Sequence, residues 1–443
     1  MQSPQRLIAR CKDFVREADP IRVYGRVDKG VGLVVEGLGP RANIGDVCLI
    51  QPNAGARDSF VEAEVIGFRE ERILLMPLQE MRGIGPGSRI IAKGRQRYVR
   101  VGEELLGRVI DGLGNPMDGK GHINGQLHAI YRDPINPLLR RRITKPLDLG
   151  IRAINTLLTC GKGQRIGIMA GSGVGKSVLL GMMARHTEAD VNVIALIGER
   201  GREVMEFIEK DLGKEGLMRS VLVVATSDTS PLARLRGAFI AIAVAEYFRS
   251  LGKNVLFMMD SLTRFAMAQR EIGLAAGEPP TTKGYPPSAF NLLPRLLERA
   301  GNSDGEGTIT GLFTVLVESD DMNDPIADAA RAILDGHIVL SRELANHNHY
   351  PAIDVLQSIS RLMKDIVDDE QKLCVEKVLD IMATYKRYED VITIGAYKEG
   401  TNPKLDIAIS MMDKIRPFLK QNIAEKATYS DSMRQLRNIF EEA

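Results

Sequence analysis

Three short segments carry side chains that can act together on a polyphosphate. The first, Ala170-Gly171-Ser172-Gly173-Val174-Gly175-Lys176-Ser177, follows the apolar run Ile166-Gly167-Ile168 and opens onto the helix-prone Val178-Leu179-Leu180. Strand, glycine-rich turn and helix in that order are the setting of a phosphate-binding loop. Gly171, Gly173 and Gly175, with Ser172 and Val174 between them, let backbone N–H groups turn inward around phosphate oxygens. The helix that continues through Val178 aims the positive end of its dipole at the same oxygens. Lys176 adds a point charge, and the Ser177 hydroxyl is a ligand for Mg2+. Ala170 stands where the motif usually begins with glycine, and its small side chain still permits the turn.

Hydrolysis needs more than a cradle: a carboxylate on the metal side and a group that orients water. Val255-Leu256-Phe257-Met258-Met259-Asp260 is an apolar strand ending in an acid. Asp260 then falls at the carboxyl edge of a sheet, where ligands collect, and can hold the hydration shell of the same metal ion. A carboxylate in that place can also cap the helix that follows. Ile194-Ala195-Leu196-Ile197 leads into Gly198-Glu199-Arg200-Gly201, so Glu199 can polarise the attacking water and Arg200 can hold the terminal phosphate. Spacing alone leaves Glu199 and Arg200 equally readable as a surface ion pair.

The elements that must position these groups are legible in outline. Apolar strand-like runs at 165–169, 193–197, 221–225, 255–259, 310–317 and 338–340 alternate with longer helical patterns. That is the signature of an α/β domain with a parallel sheet covered on both faces. From Ile21 to about Gly94 the texture is different: short β-branched runs broken by glycine, in which Val61, Ala63 and Val65 alternate with Glu62 and Glu64. Such strands predict a small closed barrel. Leu7, Ile8, Cys11, Phe14 and Val15 recur at helical spacing ahead of Pro20. After Arg361 charged amphipathic helices are expected, for example over 362–379 and 411–423. The organisation read from these patterns is an N-terminal amphipathic helix over 1–20, a barrel over 21–95, the phosphate-loop domain over 96–361 and a helical domain over 362–443.

Composition narrows the partners. With 59 basic and 57 acidic residues among 443, the net charge of +2 gives no electrostatic reason to expect nucleic acid or a membrane surface. Aromatics in the barrel segment are limited to Tyr24, Phe60 and Phe68, too sparse for a base-stacking surface. The run Arg140-Arg141-Arg142 reads as a solvated linker. Cys11, Cys48, Cys160 and Cys374 lie far apart, which suits a reducing compartment and neither a disulfide framework nor a zinc site. His347 and His349 could share one face of a strand, but no cysteine or carboxylate pair accompanies them. No run of about eighteen apolar residues occurs, so a cytoplasmic protein touching a membrane only through others is expected.

The loop 170–177, Gly198-Glu199-Arg200, Asp260 with Arg264, and the segment 351–361 together resemble the rotary ATPases, relatives of ATP synthase catalytic subunits. Within that family, 264–280 and 283–288 look like the ATPases of type III protein export, flagellar or injectisome; the likeness runs from about Ile21 onward and includes 107–116. The resemblance implies a RecA-like core and a homohexamer that hydrolyses ATP with Mg2+ to energise and unload export substrates, at the inner membrane but peripheral to it. It implies that Arg361 is an arginine finger reaching a neighbouring subunit's nucleotide and that Tyr350 stacks on adenine. It further implies a stator-like regulator on the N-terminal helix, a central stalk protein facing the acidic segment 320–325, which equally reads as a solvated turn, and contacts with an export gate, substrates and chaperones. Flagellar export is the leading reading and an injectisome the alternative. Against a proton-linked ATP synthase subunit stand Ala170-Gly171-Ser172 and Gly277-Glu278-Pro279-Pro280.

Overall fold

The computed structural model describes residues 23–53, 59–94, 98–317, 321 and 323–441, so the helix expected over 1–20 and part of the acidic segment 320–325 lie outside the described residues. The chain divides into two compact units, 1–96 and 97–443.

In the first unit, strands β1 (Gly25–Val31), β2 (Val34–Leu38), β3 (Val47–Gln51), β4 (Val61–Arg69), β5 (Arg72–Pro77) and β6 (Arg89–Gly94) close into a barrel. Their order around it is β1-β2-β5-β4-β3-β6, and β1 seals it by pairing antiparallel with β6, Gly25 opposite Ile90. The alternation in β4 explains closure: Val61, Ala63 and Val65 are buried, while Glu62 and Glu64 stay partly exposed. Ala63 and Val65 meet Val27, Val35, Ile50, Leu75 and Ile90 in one apolar core.

The second unit is built on a nine-stranded sheet. A separate ribbon pairs β7 (Tyr98–Val101) with β9 (Gln126–Ala129). The sheet contains β8 (Arg108–Asp111), β10 (Arg165–Ala170), β11 (Val191–Ile197), β12 (Ser220–Ala225), β13 (Asn254–Asp260), β14 (Gly301–Asn302), β15 (Thr308–Leu316), β16 (Gly336–Leu340) and β17 (Ile353–Ser360). Its order is β17-β16-β10-β15-β13-β11-β12-β8, with β14 paired to β15. All pairings are parallel except those of β17 and β14. The central strands are buried at nearly every position and mostly apolar because both their faces are covered. Val193, Ala195 and Ile197 join one cluster with the helices Pro231–Ser250 and Leu262–Ala276, whereas Ile194 and Leu196 join the other with the helix Lys176–His186. Helix Pro231–Ser250 is buried at every residue but Leu235 and Ser250, and among its buried charges Arg234 is paired with Glu271 and Glu246 with Arg299.

The C-terminal helices Asp369–Thr393, Pro403–Leu419 and Tyr429–Glu441 pack into the second cluster through Val375, Val378, Ile415, Phe418, Leu436 and Ile439. Two expectations need correcting here. The helix read over 362–379 is broken at Val367, because the Asp368 carboxylate caps a new helix by accepting from the Gln371 N–H at 2.8 Å. The helix read over 411–423 runs instead from Pro403 to Leu419: Pro417 removes a backbone donor in its last turn, and residues beyond it are drawn into a loop. Nor do His347 and His349 lie on a strand. His347 ends the short helix Arg342–Asn346, His349 is buried, and among the described residues no group of three His, Cys, Asp or Glu could hold a metal. No helix among them is long and apolar enough to cross a membrane.

Candidate active site

The C-terminal ends of β10, β13 and β11 bring the three sequence segments together. β10 ends at Ala170 and the chain turns through Gly173 and Gly175, whose φ of 78° and 89° lie in the left-handed region where a side chain is strained. Gly175 begins the helix Lys176–His186 and provides no capping side chain, which leaves the first-turn N–H groups available to a ligand.

Lys176 Nζ lies 2.6 Å from Asp260 Oδ1 and 3.7 Å from Glu199 Oε1. β15 separates β10 from β13, and it contributes Thr314, whose hydroxyl donates to Asp260 Oδ1 at 2.7 Å. The capping alternative for Asp260 does not hold: the helix Leu262–Ala276 is capped by the Ser261 hydroxyl, which accepts from the Arg264 N–H. Asp260 faces the phosphate loop. Glu199 follows Gly198, where φ is 75° and an added Cβ would lie 2.7 Å from Arg264 Cβ, so the turn into Glu199 needs glycine. Burial, and then the Asp260 charge, push the Glu199 carboxyl up to about 7 against the opposing pull of Lys176. In its protonated form it donates to Glu203, whose own carboxyl is held low first by that bond.

Arg200 is not brought to the phosphate loop. Its side chain is 79% exposed and pairs with Glu203 at 3.1 Å, one turn along the helix Gly201–Glu206, because the turn that buries Glu199 sends its neighbour outward. Arg361 also lies away from the loop. It follows β17, its N–H donates to the Asp335 carbonyl at 3.0 Å and its guanidinium to the Arg331 carbonyl at 3.0 Å.

Tyr350 does reach the site. A cavity of about 770 Å3 opens beside the loop, lined by Gly173, Val174, Gly175, Val178, Leu179 and Met182 on one side and by Tyr350, Pro351 and Ala352 on another. Its far wall, Pro417, Lys420, Gln421, Asn422 and Ile423, comes from the last turn of helix Pro403–Leu419 and the loop after it. Gln421 fastens that wall. Its N–H donates to the Tyr350 carbonyl at 2.9 Å, and its side chain accepts from the Arg152 N–H at 2.8 Å and donates to the Gly150 carbonyl at 2.8 Å. Sequence reasoning missed Thr314, Glu203 and this wall, which become neighbours only through strand register and tertiary folding.

The donor set fits a magnesium nucleotide. Uncapped N–H groups and Lys176 suit phosphate oxygens, and a lone hydroxyl and carboxylate, Ser177 and Asp260, suit a hard cation that keeps water and phosphate as its other ligands. Cradle, carboxylates and a cavity roomy enough for a nucleotide define a phosphate-loop nucleotide hydrolase.

Comparison with known proteins agrees. Residues 150–360 match the nucleotide-binding domain of the ATP synthase alpha/beta family, and 367–438 match the C-terminal domain of the type III secretion ATPase EscN. The chain is 54% identical over 428 residues to the flagellum-specific ATP synthase of Bacillus subtilis, covering 96% of this chain and 97% of that one. It is 48% identical to the type 3 secretion system ATPase of Xanthomonas euvesicatoria, covering 95% of each. The assembled EscN ATPase of enteropathogenic E. coli superposes with a TM-score of 0.88 at 46% identity over 94% of this chain and 99% of that one; EscN in complex with its central stalk EscO gives 0.85 at 45% over the same shares. The chain belongs to the ATP synthase alpha/beta family and, within it, to the ATPases of type III protein export.

Proposed function

We propose that this ATPase works as a homohexameric ring in which Arg361 of one subunit completes the site of the next, energising and unloading substrates for flagellar protein export. One observation carries the reading. Arg361 is bound to Asp335, which exchanges hydrogen bonds with Arg165 at the start of β10, whereas the phosphate loop leaves the end of β10. Five residue steps of parallel strand separate the two, about 17 Å, more than twice what an arginine side chain spans. Arg361 cannot serve its own subunit's phosphate loop. It stands exposed beyond the edge strand β17, which supports its serving a neighbour's.

In this reading Lys176 and the backbone N–H groups of 171–177 hold the phosphates, while Ser177 and Asp260 hold Mg2+. Bound there, the ion neutralises and orients phosphate oxygens. Glu199, once ionised, accepts a hydrogen bond from the attacking water and turns it toward the terminal phosphorus. Tyr350 stacks on the base, and the neighbour's Arg361 meets the charge that develops on the transferred phosphoryl group, a contribution of about 10³ to 10⁵ in rate. Arg200 holds its surface pair with Glu203 and takes no part.

The EscN complex supports a central stalk as partner. A stator-like regulator on the segment 1–20, and an export gate, substrates and chaperones, follow from the family reading, and through these partners the ring works in the cytoplasm against the inner membrane. Flagellar export is the leading reading and an injectisome the alternative; flagellar relatives run from 54% to 45% identity, with the secretion relative at 48% between them. The test is ATPase rate per chain against protein concentration, with particle size recorded alongside. A steep rise coinciding with ring-sized particles is expected; a constant rate per chain down to dilutions that leave only single chains would overturn the proposal.

A further inference from the structure

Arg361 is held by the last turn of helix Pro325–Ile333 and by the short connection from it to β16. The Arg331 carbonyl, in the helix's last turn, accepts from the guanidinium, and the Asp335 carbonyl accepts from the backbone N–H. That connection is fixed in turn by the Asp335 carboxylate. It takes a two-pronged grip from Arg165, Nε to Oδ2 at 3.0 Å and Nη2 to Oδ1 at 3.1 Å, and a third bond from the Arg165 N–H at 3.0 Å. Such a planar double bond sets position as well as attraction. The buried Gln164 adds a tie on the other side, donating to the Asp335 carbonyl at 3.2 Å and to the Ser360 hydroxyl at 3.0 Å.

We propose that the Asp335–Arg165 ion pair is the mount of Arg361, which makes Asp335 a positioning residue for hydrolysis in the neighbouring subunit. The proposal rests on the reading of Arg361 given above. The chain of contact is continuous: the start of β10 holds Asp335, Asp335 holds the connection, and the connection with the helix end before it holds Arg361 at backbone and side chain. With the grip gone, the Asp335 carboxylate keeps, among the described residues, only the Arg165 backbone N–H, and the connection gains room to shift by the ångström that separates a productive guanidinium from an idle one. Asp335 touches neither the phosphate loop nor the base cavity, so binding of ATP is outside its reach.

The test is a double-mutant cycle on the assembled ring. Asp335→Asn keeps the shape and removes the charge. It is expected to lower kcat ten- to a hundred-fold, the scale of a displacement of about 1 Å, with KM for ATP unmoved within about twofold and ring formation intact. Asp335→Asn combined with Arg361→Ala is expected to be no slower than Arg361→Ala alone, because the mount is useless without what it carries. Arg165→Lys, which keeps the charge but loses the fork, is expected to show the same signature more weakly and stands in if the aspartate variant does not fold. Losses that multiply in the double variant, or a normal kcat in Asp335→Asn beside an idle Arg361→Ala, overturn the mount while leaving the trans-acting arginine standing. A fully active Arg361→Ala overturns both.

Discussion

Glu199→Gln separates binding from chemistry at this site. The substitution keeps the side chain's shape and removes its charge. Lys176 retains Asp260 at 2.6 Å and loses only the longer 3.7 Å contact with Glu199, one that competes with phosphate for the ammonium. Affinity for magnesium ATP is therefore expected to stay the same or tighten a few-fold. Loss of the water-orienting base costs about 10² to 10⁴ in kcat, roughly 3 to 5 kcal/mol of barrier. The pH profile carries a second signature. In the free enzyme the carboxyl is pushed up to about 7, by burial first and by Asp260 second, and it must lose its proton to act. Wild-type kcat/KM, which reports ionisations of the free enzyme, should fall as pH drops below about 7 and level off above it. The variant's residual rate should be flat across that range. Equilibrium binding of a fluorescent nucleotide and single-turnover hydrolysis from about pH 5.5 to about pH 8.5, a range that brackets the base's ionisation, make the comparison. Hydrolysis within about tenfold of wild type, or an unchanged pH profile in the variant, would refute the role given to Glu199.

Two further outcomes test the scaffold. Glu246 is buried; burial alone would raise its carboxyl, but bonds from Arg299, at 2.7 and 2.8 Å, and from His128 outweigh it and hold the carboxyl at about 2. Arg299→Ala strands that charge and should destabilise the phosphate-loop unit by about 3 to 5 kcal/mol in denaturant unfolding, whereas replacing both partners with apolar residues should recover most of the loss. His349 is neutral in the fold, its value lowered from 6.5 to about 4 by burial and then by Lys420 and Arg416. The unfolded chain takes up a proton below 6.5 that the fold refuses, so stability should fall by about 2 kcal/mol between pH 7 and 5, and His349→Asn should remove that part of the slope.

Legibility followed the range of the interactions. The strands around the site were readable to within a few residues because a parallel strand covered on both faces is a mostly apolar run, as β11 is over Val193–Ile197. Glycines at 171, 173, 175 and 198 marked turns because the conformations at 173, 175 and 198 demand them. β8 and β17 were not foreseen: one is four residues long and the other alternates buried with exposed positions, as an edge strand does. Glu199 and Arg200 could not be told apart from spacing, since both follow the same strand and only the turn at Gly198 decides which one is buried. Thr314 became a partner of Asp260 through the register of β13 on β15, and Gln421 a wall of the nucleotide cavity through the packing of the last helices, neither of which leaves a local trace. The distance between Arg361 and its own phosphate loop was likewise invisible until β17 was seen to run back along β16.

That distance is the core of the account, and mixing two inactive variants measures it. Arg361→Ala keeps an intact phosphate loop, and Lys176→Ala keeps an intact Arg361; each alone should be nearly idle. In randomly mixed rings at equal amounts about one interface in four pairs the sound loop of one variant with the sound arginine of the other, so hydrolysis should return to about a quarter of the wild-type rate. No recovery at any mixing ratio, in particles shown to contain both variants, would contradict catalysis across the subunit boundary.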